Sequence, residues 1–395
     1  MTDRKRRVLI AGGGIGGLTA AVALGRHGHP VSVLERSAFG DETGAGIQLG
    51  PNATRALSTL GVLEAIEPAA FKPESIRLFD GLSGKQLASV PLGAQAEMRY
   101  GAPYLTLHRA DLQAALLAAC KTLRTVDLEP DFEVVNLRQN ERRVVAVNVG
   151  GGELEGECLI GADGLWSTVR RLIAPQARLQ FAGATASRAL LSRDGLPSPF
   201  DAATVGLWLG PRAHLVHYPV RGGKQLNIVA VTHGGAERQG WDQSSDPSAI
   251  LSQFETWCGA AKDVLQRANG WRSWSLYRLP PLRGWHDGRI ALMGDAAHPV
   301  LPYLAQGAAL AIEDAVTLAA ALDSQSGNPE AALSRYAASR HGRATRAQRL
   351  SHRFGQIYHL SGLLRLARNF VLERQSKEKG LKRFDWLYGF RALPD

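Results

Sequence analysis

Short apolar runs and a helical segment alternate at the beginning of the chain. Residues 8–11 and 31–34 are apolar and predict short buried strands, and residues 15–27 between them predict a helix. A strand, a helix and a second strand in this order form a βαβ unit with parallel strands. The first segment of the chain is therefore expected to begin a parallel sheet.

The rest of the chain changes from a strand pattern to a helical one. Strands are predicted at 75–79, 86–90, 132–137, 143–149, 153–160 and through the turn-rich segment 178–232, and helices from Asn52, at 109–120, at 247–257 and from 307 onwards. The segment 178–232 carries no strong helix signal and is typical of a separate sheet that covers a substrate. Since no repeat or low-complexity linker divides the chain, we expect an α/β fold with interleaved domains.

Charge and composition narrow the class of protein. The 395 residues include 46 Lys and Arg against 36 Asp and Glu, a formal net charge of +10 that favours small anionic partners. The sequence contains one basic run, at residues 4–7. No basic stretch interleaves with aromatic residues, so nucleic-acid binding is not expected. That run and the apolar residues after it also fit a signal peptide, but the regularly spaced glycines there argue against one.

Cysteine usage and hydropathy add two further expectations. Cys120, Cys158 and Cys258 lie far apart and match neither a metal-site nor a disulfide spacing. No other apolar run reaches the length of a membrane span. We therefore expect a cytoplasmic protein with no metal site and no membrane segment.

The first turn of the βαβ unit is rich in glycine. Gly12, Gly14 and Gly17, with Ile15 and Gly16 between them, form a GxGxxG loop between strand and helix. The first glycine allows a tight turn, the second lets a pyrophosphate approach the backbone, and the third lets helix and strand pack closely. Such a loop is a weak signal alone, because a purely structural glycine turn has the same pattern.

An acidic residue strengthens the dinucleotide interpretation. Glu35 ends the second strand eighteen residues after Gly17, where a carboxylate can bind a ribose hydroxyl. A carboxylate at this point disfavours a 2′-phosphate, so the expected dinucleotide is FAD or NAD rather than NADP. Two more strands end in acidic turns, at Asp163-Gly164 and Gly294-Asp295, and Arg109 begins a helix after a strand. Each aspartate alone could be a helix cap. The three motifs together, in this order along the chain, are a highly specific sequence signal.

Together these motifs resemble the class A flavoprotein monooxygenases, the FAD-dependent aromatic hydroxylases, over the whole chain. The run from His298 to Gly307, followed by Ala-Ile-Glu-Asp314-Ala, and the terminal Asp385-Trp-Leu-Tyr-Gly are similar to the subgroup of 3-hydroxybenzoate 6-hydroxylase, 6-hydroxynicotinate 3-monooxygenase and salicylate hydroxylase. The resemblance implies a Rossmann-like FAD-binding domain interleaved with a β-sheet substrate domain and a helical C-terminus, as in p-hydroxybenzoate hydroxylase. The implied FAD-binding parts are 1–72, 100–174 and 280–345, the substrate-domain parts are 73–99 and 175–279, and the C-terminal helical segment is 346–395.

The resemblance also implies a set of FAD-binding residues. Glu35 would hold the adenosine ribose, Asp295 the ribityl chain or the phosphate beside it, and Arg109 the ribityl–pyrophosphate part. Asp163 would belong to a motif that touches the pyrophosphate and assists nicotinamide binding. The full set is Gly12, Gly14, Ile15, Gly16, Gly17, Glu35, Arg36, Ala45, Gly46, Gln48, Arg109, Asp163, Asp295, Pro299, Gly307 and Ala308.

Within that set, the residues expected around the isoalloxazine ring lie in two segments. Residues 45–48 would line the ring edge, and Pro299 would lie near C4a. Gly307 and Ala308 begin a helix whose N-terminus favours the negative charge of reduced flavin. A second GxGxxG after a strand is missing from the sequence, in agreement with a family in which NADH, or NADPH, binds only transiently.

The substrate side rests on one predicted strand. If residues 213–218 form a strand, His214, Val216 and Tyr218 share one face and His217 points to the other. A neutral histidine is a natural base for a phenol, and the subgroup places a His-x-x-x-Tyr pair in its substrate pocket. Tyr104 matches a pocket tyrosine of the same subgroup. The alternative for His214 and Tyr218 is that they are two polar residues on a solvent-exposed face. The alternative for Tyr104 is an aromatic residue of the core.

Some residues depart from the subgroup and leave the substrate open. Pro302-Tyr303 stands where some members place Gln or His, and Ala309 replaces a larger or polar residue. His298 precedes a proline near the flavin, where it either shapes the backbone or takes part in catalysis; shaping is the preferred interpretation.

The implied reaction is hydroxylation of a small, carboxylated phenolic or heteroaromatic ring. FAD is reduced by NADH or NADPH, reacts with O₂ to give a C4a-hydroperoxide and passes OH to the ring, while His214 and Tyr218 polarise the phenol. Two other functions stay open: a flavin-dependent reductase or dehydrogenase that does not use O₂, and a non-catalytic flavin binder. The subgroup also makes a homodimer plausible.

Overall fold

The fold is that of a computed structural model, which describes residues 7–40, 46–235, 237, 243–325, 327–374 and 377–392. Its strands are β1 Val8–Ala11, β2 Val31–Leu34, β3 Gly46–Leu49, β4 Ser75–Asp80, β5 Gln86–Pro91, β6 Leu105–His108, β7 Val126–Glu129, β8 Val134–Gln139, β9 Val144–Asn148, β10 Glu153–Gly156, β11 Cys158–Gly161, β12 Gln180–Ser192, β13 Thr204–Gly210, β14 Ala213–Val220, β15 Gln225–His233, β16 Gln243–Ser244, β17 Arg272–Arg278, β18 His286–Asp287 and β19 Ile290–Leu292.

The helices follow the predicted distribution and dominate the last third of the chain. They are α1 Ile15–Arg26, α2 Pro51–Thr59, α3 Leu63–Ile66, α4 Gly93–Tyr100, α5 Arg109–Thr122, α6 Thr168–Ile173, α7 Pro247–Leu251, α8 Gly259–Arg267, α9 Gly307–Ser324, α10 Pro329–Tyr358, α11 Gly362–Glu373, α12 Lys377–Lys382 and α13 Asp385–Tyr388. Single 3₁₀ turns lie at Glu67–Ala69, Ser252–Phe254, Gly294–Ala296 and Pro302–Leu304. Over the described ranges, no helix is both long and apolar enough to cross a bilayer.

A six-stranded sheet carries the predicted βαβ unit. Its strand order is β18-β19-β11-β1-β2-β7, and β1 pairs in parallel with both β2 and β11. All four residues of each of these three strands are buried, because helices cover both faces of a parallel sheet. Helix α1 packs between this sheet and α9. The carboxyl ends of β1, β2, β11 and β19 therefore meet at one edge, where the predicted glycine and acidic turns lie.

The single strand predicted at 153–160 is wrong. Residues Glu153–Gly156 pair in a small antiparallel sheet with order β10-β9-β8, whereas Cys158–Gly161 joins the parallel sheet. The chain changes sheet at Gly156, where a Cβ would lie 2.8 Å from the Arg7 carbonyl oxygen. Continuous hydrophobic alternation hid this break, because both halves bury apolar side chains.

An eight-stranded sheet forms the second layer, with order β16-β17-β12-β15-β14-β13-β4-β5. Strand β4 pairs in parallel with β13, so residues near 75 and near 204 share one sheet and the domains interleave as expected. One face of this sheet packs on an aromatic core with Phe200, Trp208, Phe254 and Trp257, under α7 and α8. The opposite face, which we call the inner face, carries Tyr218 and packs with Tyr104 and Tyr388. Helix α10 runs unbroken through residue 346; the predicted domain boundaries stay predictions.

Candidate active site

The glycine loop between β1 and α1 has the predicted geometry. Gly12 adopts a φ of +108°, and a Cβ there would lie 2.5 Å from the Ala162 carbonyl oxygen. A Cβ on Gly17 would lie only 1.9 Å from the Gly12 oxygen, so α1 can begin at Ile15 only if residue 17 is glycine. At Gly14 a Cβ would meet no described atom within 4 Å. The loop thus leaves open space where a ligand phosphate can approach the N-terminus of α1.

The carboxylate of Glu35 lies beside this loop. The Gly13 amide donates to Glu35 Oε2 at 2.6 Å, and the Ser37 amide donates to Oε1 at 3.2 Å. Glu35 is half-buried, and the neighbouring Arg36 is exposed. The carboxylate therefore fastens the loop to the end of β2, which is also the place from which it can reach a ribose. Its ribose contact stays a prediction.

Asp163 has the helix-cap role that the sequence left open. Its Oδ2 accepts hydrogen bonds from the amides of Thr168 and Val169 at 2.7 and 3.0 Å, so it caps α6. Burial raises the pKa of Asp163 above its ordinary value, although these hydrogen bonds oppose the rise. Its Cα lies 2.9 Å from the position that a Cβ on Gly12 would take, so its backbone adjoins the loop. The predicted pyrophosphate contact is not tested.

The turn after β19 brings Asp295 to the start of α9. Asp295 Oδ1 lies 3.9 Å from the position that a Cβ on Gly307, the first residue of α9, would take. The carboxylate is exposed to solvent, yet protein surrounds it and burial raises its pKa, while His298, Arg109 and Arg170 act in the opposite direction. Both observations fit a group on the wall of a cleft. Arg170 supports this turn from α6 by donating to the Ala296 carbonyl at 2.9 Å.

A buried ion network holds the same turn from below. Asp314 Oδ2 accepts from the Gly294 amide at 2.9 Å and contacts His298 Nε2 at 2.6 Å, and Asp314 Oδ1 accepts from Arg340 Nε at 2.7 Å. Asp314 and Arg340 are fully buried. Burial raises the pKa of Asp314, but the charges of His298 and Arg340 outweigh it and the net pKa is lowered. His298 therefore holds the turn through Asp314, in line with the shaping role preferred above.

The network continues through Glu313 to two other parts of the chain. Glu313 accepts from Arg343 at 2.7 Å and from Asn52 Nδ2 at 2.6 Å, and Asn52 also donates to Gln306 at 3.0 Å. Arg343 donates to the carbonyls of 386 and 387, which attaches α13. Sequence reasoning missed Asn52, Arg340 and Arg343, because their partners are distant along the chain.

Strands β3 and β6 bring the predicted ring-binding and substrate residues together. The Tyr104 hydroxyl donates to Gln48 Oε1 at 2.8 Å, and a Cβ on Gly46 would lie 2.5 Å from Tyr218 Cε2. The Gly46 amide donates to Asn227 Oδ1 at 2.9 Å, which ties β3 to the inner face of the large sheet. Burial raises the pKa of both tyrosines. Ala45 lies outside the described residues.

Tyr104 also contacts the end of the chain. Its ring meets the Tyr388 ring edge-on with centroids 5.9 Å apart. Tyr388 belongs to the terminal Asp385-Trp-Leu-Tyr-Gly run singled out in the sequence, and Asp385 pairs with Arg99. The C-terminal segment thus reaches the tyrosine cluster, a contact that no local pattern revealed.

The strand alternation predicted at 213–218 is confirmed. Strand β14 places His214 and Tyr218 on the inner face, only 2% and 4% exposed, so they do not lie on a solvent face. His217 points to the other side and stacks near Phe200, with ring centroids 4.5 Å apart. Burial, and then the nearby His359 and His233, lower the pKa of His214 well below its ordinary value. His214 is therefore neutral at pH 7 and able to accept a proton.

Aromatic and imidazole rings surround His214. Its Nδ1 lies 2.8 Å from His359 Nε2, and the Tyr303 and Tyr358 rings lie 5.3 and 5.6 Å from it. Tyr303 is one of the residues at which the sequence departs from the subgroup that it resembles, and it lies beside the predicted base. No pattern in the sequence indicated His359, which follows α10.

The remaining predicted flavin residues lie near the same edge. Pro299 is buried, and its carbonyl accepts from Gln348 at 3.1 Å. Gly307 and Ala308 are the half-buried first residues of α9. The open space at Gly14, two helix N-termini and the accessible Asp295 carboxylate fit a cofactor with a pyrophosphate and a polyol chain.

Comparisons with known proteins agree with this site. Residues 5–351 match the family described as FAD binding domain. The chain is 36% identical over 98% of its length to 3-hydroxybenzoate 6-hydroxylase of Polaromonas naphthalenivorans, covering 96% of that protein. It is 35% identical to 3-amino-4-hydroxybenzoate 2-monooxygenase PtnB3 of Streptomyces platensis, over 100% of this chain and 98% of that one.

A solved structure supports the fold. HpxO of Klebsiella pneumoniae, in complex with FAD and uric acid, superposes with a TM-score of 0.86 at 24% identity, over 97% of both chains. The match to the family spans most of the sequence, and two named relatives over nearly the full length are aromatic-ring oxygenating enzymes. The chain therefore belongs to the FAD binding domain family and is an FAD-dependent aromatic hydroxylase.

Proposed function

We propose that this enzyme hydroxylates a small phenol that carries a carboxylate, with NADH or NADPH and O₂ as co-substrates. The observation that carries the proposal is the buried pair of His214 and Tyr218 beside Tyr104 and Gln48, in a chain similar over nearly its whole length to 3-hydroxybenzoate 6-hydroxylase. A monohydroxybenzoate is the substrate class that this pocket and that relative favour together.

The cofactor is held, in this proposal, by the edge where four parallel strands end. The glycine loop would bind the pyrophosphate at the N-terminus of α1, Glu35 the ribose, and Asp295 with Gly307 the polyol chain and ring. When bound and reduced by NADH or NADPH, FAD would activate O₂, so that one oxygen atom enters the substrate ring and the other leaves as water. The protein's own contribution is to position the ring, move a proton and exclude water.

His214 is the proposed proton acceptor. It is neutral because burial lowers its pKa, and it lies on the same face of β14 as Tyr218, two strand positions apart on that face. Removing the phenolic proton makes the ring electron-rich, which favours transfer of an electrophilic oxygen ortho or para to the phenolate. Tyr104 and Tyr218 stay protonated, because burial raises their pKa, and so can donate hydrogen bonds.

Arg188 is the proposed partner of the substrate carboxylate. In the sheet register Arg188 pairs with Val229 and Val229 with Val216, so Arg188 lies on the inner face with His214 and Tyr218. It is 7% exposed, and its charge partly offsets the burial that raises the pKa of Tyr218, which places it close to that hydroxyl. A buried guanidinium there can bind a carboxylate.

The test is NADH oxidation by the purified enzyme with a panel of hydroxybenzoates, hydroxynicotinates and phenols without a carboxylate, with product and peroxide quantified under ¹⁸O₂. We expect stimulated oxidation and one ¹⁸O atom in a hydroxylated product for a monohydroxybenzoate. Product without ¹⁸O would favour a reductase or dehydrogenase instead. Bound FAD without stimulation by any ring would overturn the proposed substrate class.

The Arg188→Gln variant tests the carboxylate contact separately. It should raise KM about tenfold or more for 3-hydroxybenzoate, equivalent to losing about 1.4 kcal/mol of binding. KM for a phenol that lacks the carboxylate should change little. An equal change for both substrates would assign Arg188 a structural role.

A further inference from the structure

A histidine base needs a defined tautomer as well as a suitable pKa. A neutral imidazole carries one N–H and one lone pair, and the hydrogen bond at one nitrogen decides which role the other can take. If His214 accepts the phenolic proton, as the proposed function requires, one of its nitrogens must hold a proton and the other a lone pair. The structure contains a residue at the nitrogen that must hold the proton.

That residue is His359, directly after α10. Its Nε2 lies 2.8 Å from Nδ1 of His214, with ring centroids 5.0 Å apart. At this distance one nitrogen donates and the other accepts. Burial lowers the pKa of His359 to about 3, so both rings are neutral at pH 7 and share a single proton along this contact.

The surroundings of His359 favour one of the two arrangements. The Gly355 backbone, one helical turn earlier, acts to raise the pKa of His359 and so favours a proton on this ring, and Nδ1 of His359 is buried with no hydrogen-bond partner among the described residues. Since Nε2 of His359 faces His214, the nitrogen that can turn towards its own helix is Nδ1. A proton on Nδ1 leaves Nε2 of His359 as an acceptor.

We propose that His359 is a positioning residue that accepts the Nδ1 proton of His214 and so keeps the His214 Nε2 lone pair available for the substrate hydroxyl. His359 itself touches neither substrate nor cofactor in this arrangement. The inference rests on the proposed role of His214 and adds a residue that lies 145 positions away in sequence.

Other groups around the pair are consistent with this arrangement. Tyr303 is buried and Tyr358 half-buried, and desolvation raises the pKa of both, which keeps them neutral. His233 packs edge-on against His359 with centroids 4.3 Å apart, and Arg212 adjoins His233 and helps to lower its pKa. Before a substrate binds, the positive charge of Arg212 and the packed rings keep these imidazoles neutral, so the His214–His359 pair shares a single proton until the phenol delivers its own.

The experiment compares His359→Leu, which removes the acceptor, with His359→Gln, which keeps one on a side chain of similar reach. His352→Leu is the matched control, because His352 is an exposed histidine in the last turns of α10, the helix that His359 follows. With a monohydroxybenzoate, His359→Leu should lower kcat about 10- to 100-fold, no more than the lower end of the roughly 10²–10⁴-fold that a positioned base contributes, because the base itself is kept. KM and FAD content should stay near wild type, and His359→Gln should recover most of kcat.

A second readout does not depend on turnover. In ¹⁵N-histidine spectra of the FAD-bound protein, with His214 assigned through loss of its signal in His214→Gln, we expect His214 to be the Nδ1–H tautomer in wild type and in His359→Gln. In His359→Leu it should change to a mixture with Nε2–H. A wild-type Nε2–H tautomer, or equal kcat in wild type and His359→Leu, would overturn the proposal.

These two readouts separate this inference from the proposed function. If no phenol in the panel is hydroxylated, the spectra alone decide whether His359 sets the tautomer of His214. If phenols are hydroxylated and the tautomer is unchanged in His359→Leu, the proposed function stands and the role of His359 is excluded.

Discussion

The two halves of the active site solve the burial of ionisable groups in opposite ways. Beneath the predicted cofactor edge, Asp314 and Arg340 are fully buried charges, and each finds an opposite charge at 2.7 Å. Against the inner face of the large sheet, the buried His214 meets the half-buried His359, neither has a carboxylate partner among the described residues, and desolvation lowers the pKa of both. The cofactor half thus contains charged groups in ion pairs, whereas the substrate half contains imidazole rings that are neutral.

This difference matches what each half has to do. A paired, fully buried network holds backbone turns such as Gly294–Ala296 in one place, because breaking any link leaves an unpaired charge. Neutral buried histidines can accept a proton when a substrate presents one, because the acceptor lone pair is not occupied by an ion pair. Under the proposed function, the paired network would hold the cofactor site rigid, and the neutral histidines would take up the proton of the substrate.

Breaking the charged half should have the largest effect. Arg340→Met leaves Asp314 without its guanidinium, and the loss of one partner of a buried pair costs about 3–5 kcal/mol. We expect a lower urea midpoint of unfolding and loss of FAD. Arg143→Met is the control: Arg143 pairs with Glu155 at 2.6 Å on the surface, and such pairs contribute about 0–1 kcal/mol. Equal midpoint shifts in the two variants would show that the buried network adds no special stability.

The glycine loop allows a sharper test within the same half. Gly17→Ala drives a Cβ against the Gly12 oxygen, so it should destabilise the fold by about 1–3 kcal/mol and abolish FAD binding. Gly14→Ala places its Cβ in space free of described atoms, so the fold should be kept while FAD affinity falls about tenfold or more. Urea unfolding and flavin titration separate the two. A Gly14→Ala variant with normal FAD affinity would mean that the open space is not the pyrophosphate site.

These glycines explain why the cofactor half could be predicted from sequence. The reasons for Gly12, Gly14 and Gly17 are local, because each concerns one turn between a strand and the helix that follows it. Glu35 was found in the same way, from its distance along the βαβ unit. What the sequence did not reveal is the support beneath, since Asp314 meets Arg340 only after α9 and α10 have packed together.

In the substrate half, the sequence predicted only those residues whose position follows from strand alternation or from the resemblance. The alternation of side chains along β14 correctly predicted that His214 and His217 lie on opposite faces of the sheet. Tyr104 was predicted from the resemblance to the subgroup. His359 and Tyr388 come from the C-terminal helical region and meet the sheet through tertiary packing, which no short pattern encodes. The break within the strand predicted at 153–160 was missed for a related reason, because apolar alternation does not show which sheet a strand joins.

A buried neutral histidine on the other face of the large sheet should make stability depend on acidic pH. His217, on the opposite face of β14 from His214, has no hydrogen-bond partner among the described residues, and burial lowers its pKa to about 3. Below about pH 6.5 the unfolded chain binds a proton at this histidine and the folded chain does not, so stability is lost as the pH falls from about 6.5 towards 3. Between pH 7 and pH 5 this loss amounts to about 2 kcal/mol.

The variant His217→Leu isolates that contribution. It should lose about 2 kcal/mol less than wild type when unfolding is compared at pH 7 and pH 5, whereas His352→Leu on the surface should behave as wild type does. Urea midpoints at the two pH values give the comparison. If His217→Leu and wild type lose the same stability, the burial of His217 does not account for the acid sensitivity of the protein.

The smallest effect is expected where a neutral hydrogen bond is removed from the substrate half. Tyr104→Phe deletes the hydroxyl that donates to Gln48 Oε1 at 2.8 Å and leaves a partly buried amide oxygen without that donor, a change of about 1 kcal/mol. KM for the preferred phenol should rise about fivefold while unfolding and FAD content stay nearly constant. Tyr277 lies on β17, and its hydroxyl donates to Glu237. Tyr277→Phe, which removes this hydroxyl, should leave KM unchanged. If Tyr104→Phe instead releases FAD, Tyr104 belongs with the rigid cofactor half, and the division between paired charges and neutral rings does not coincide with the division between cofactor and substrate.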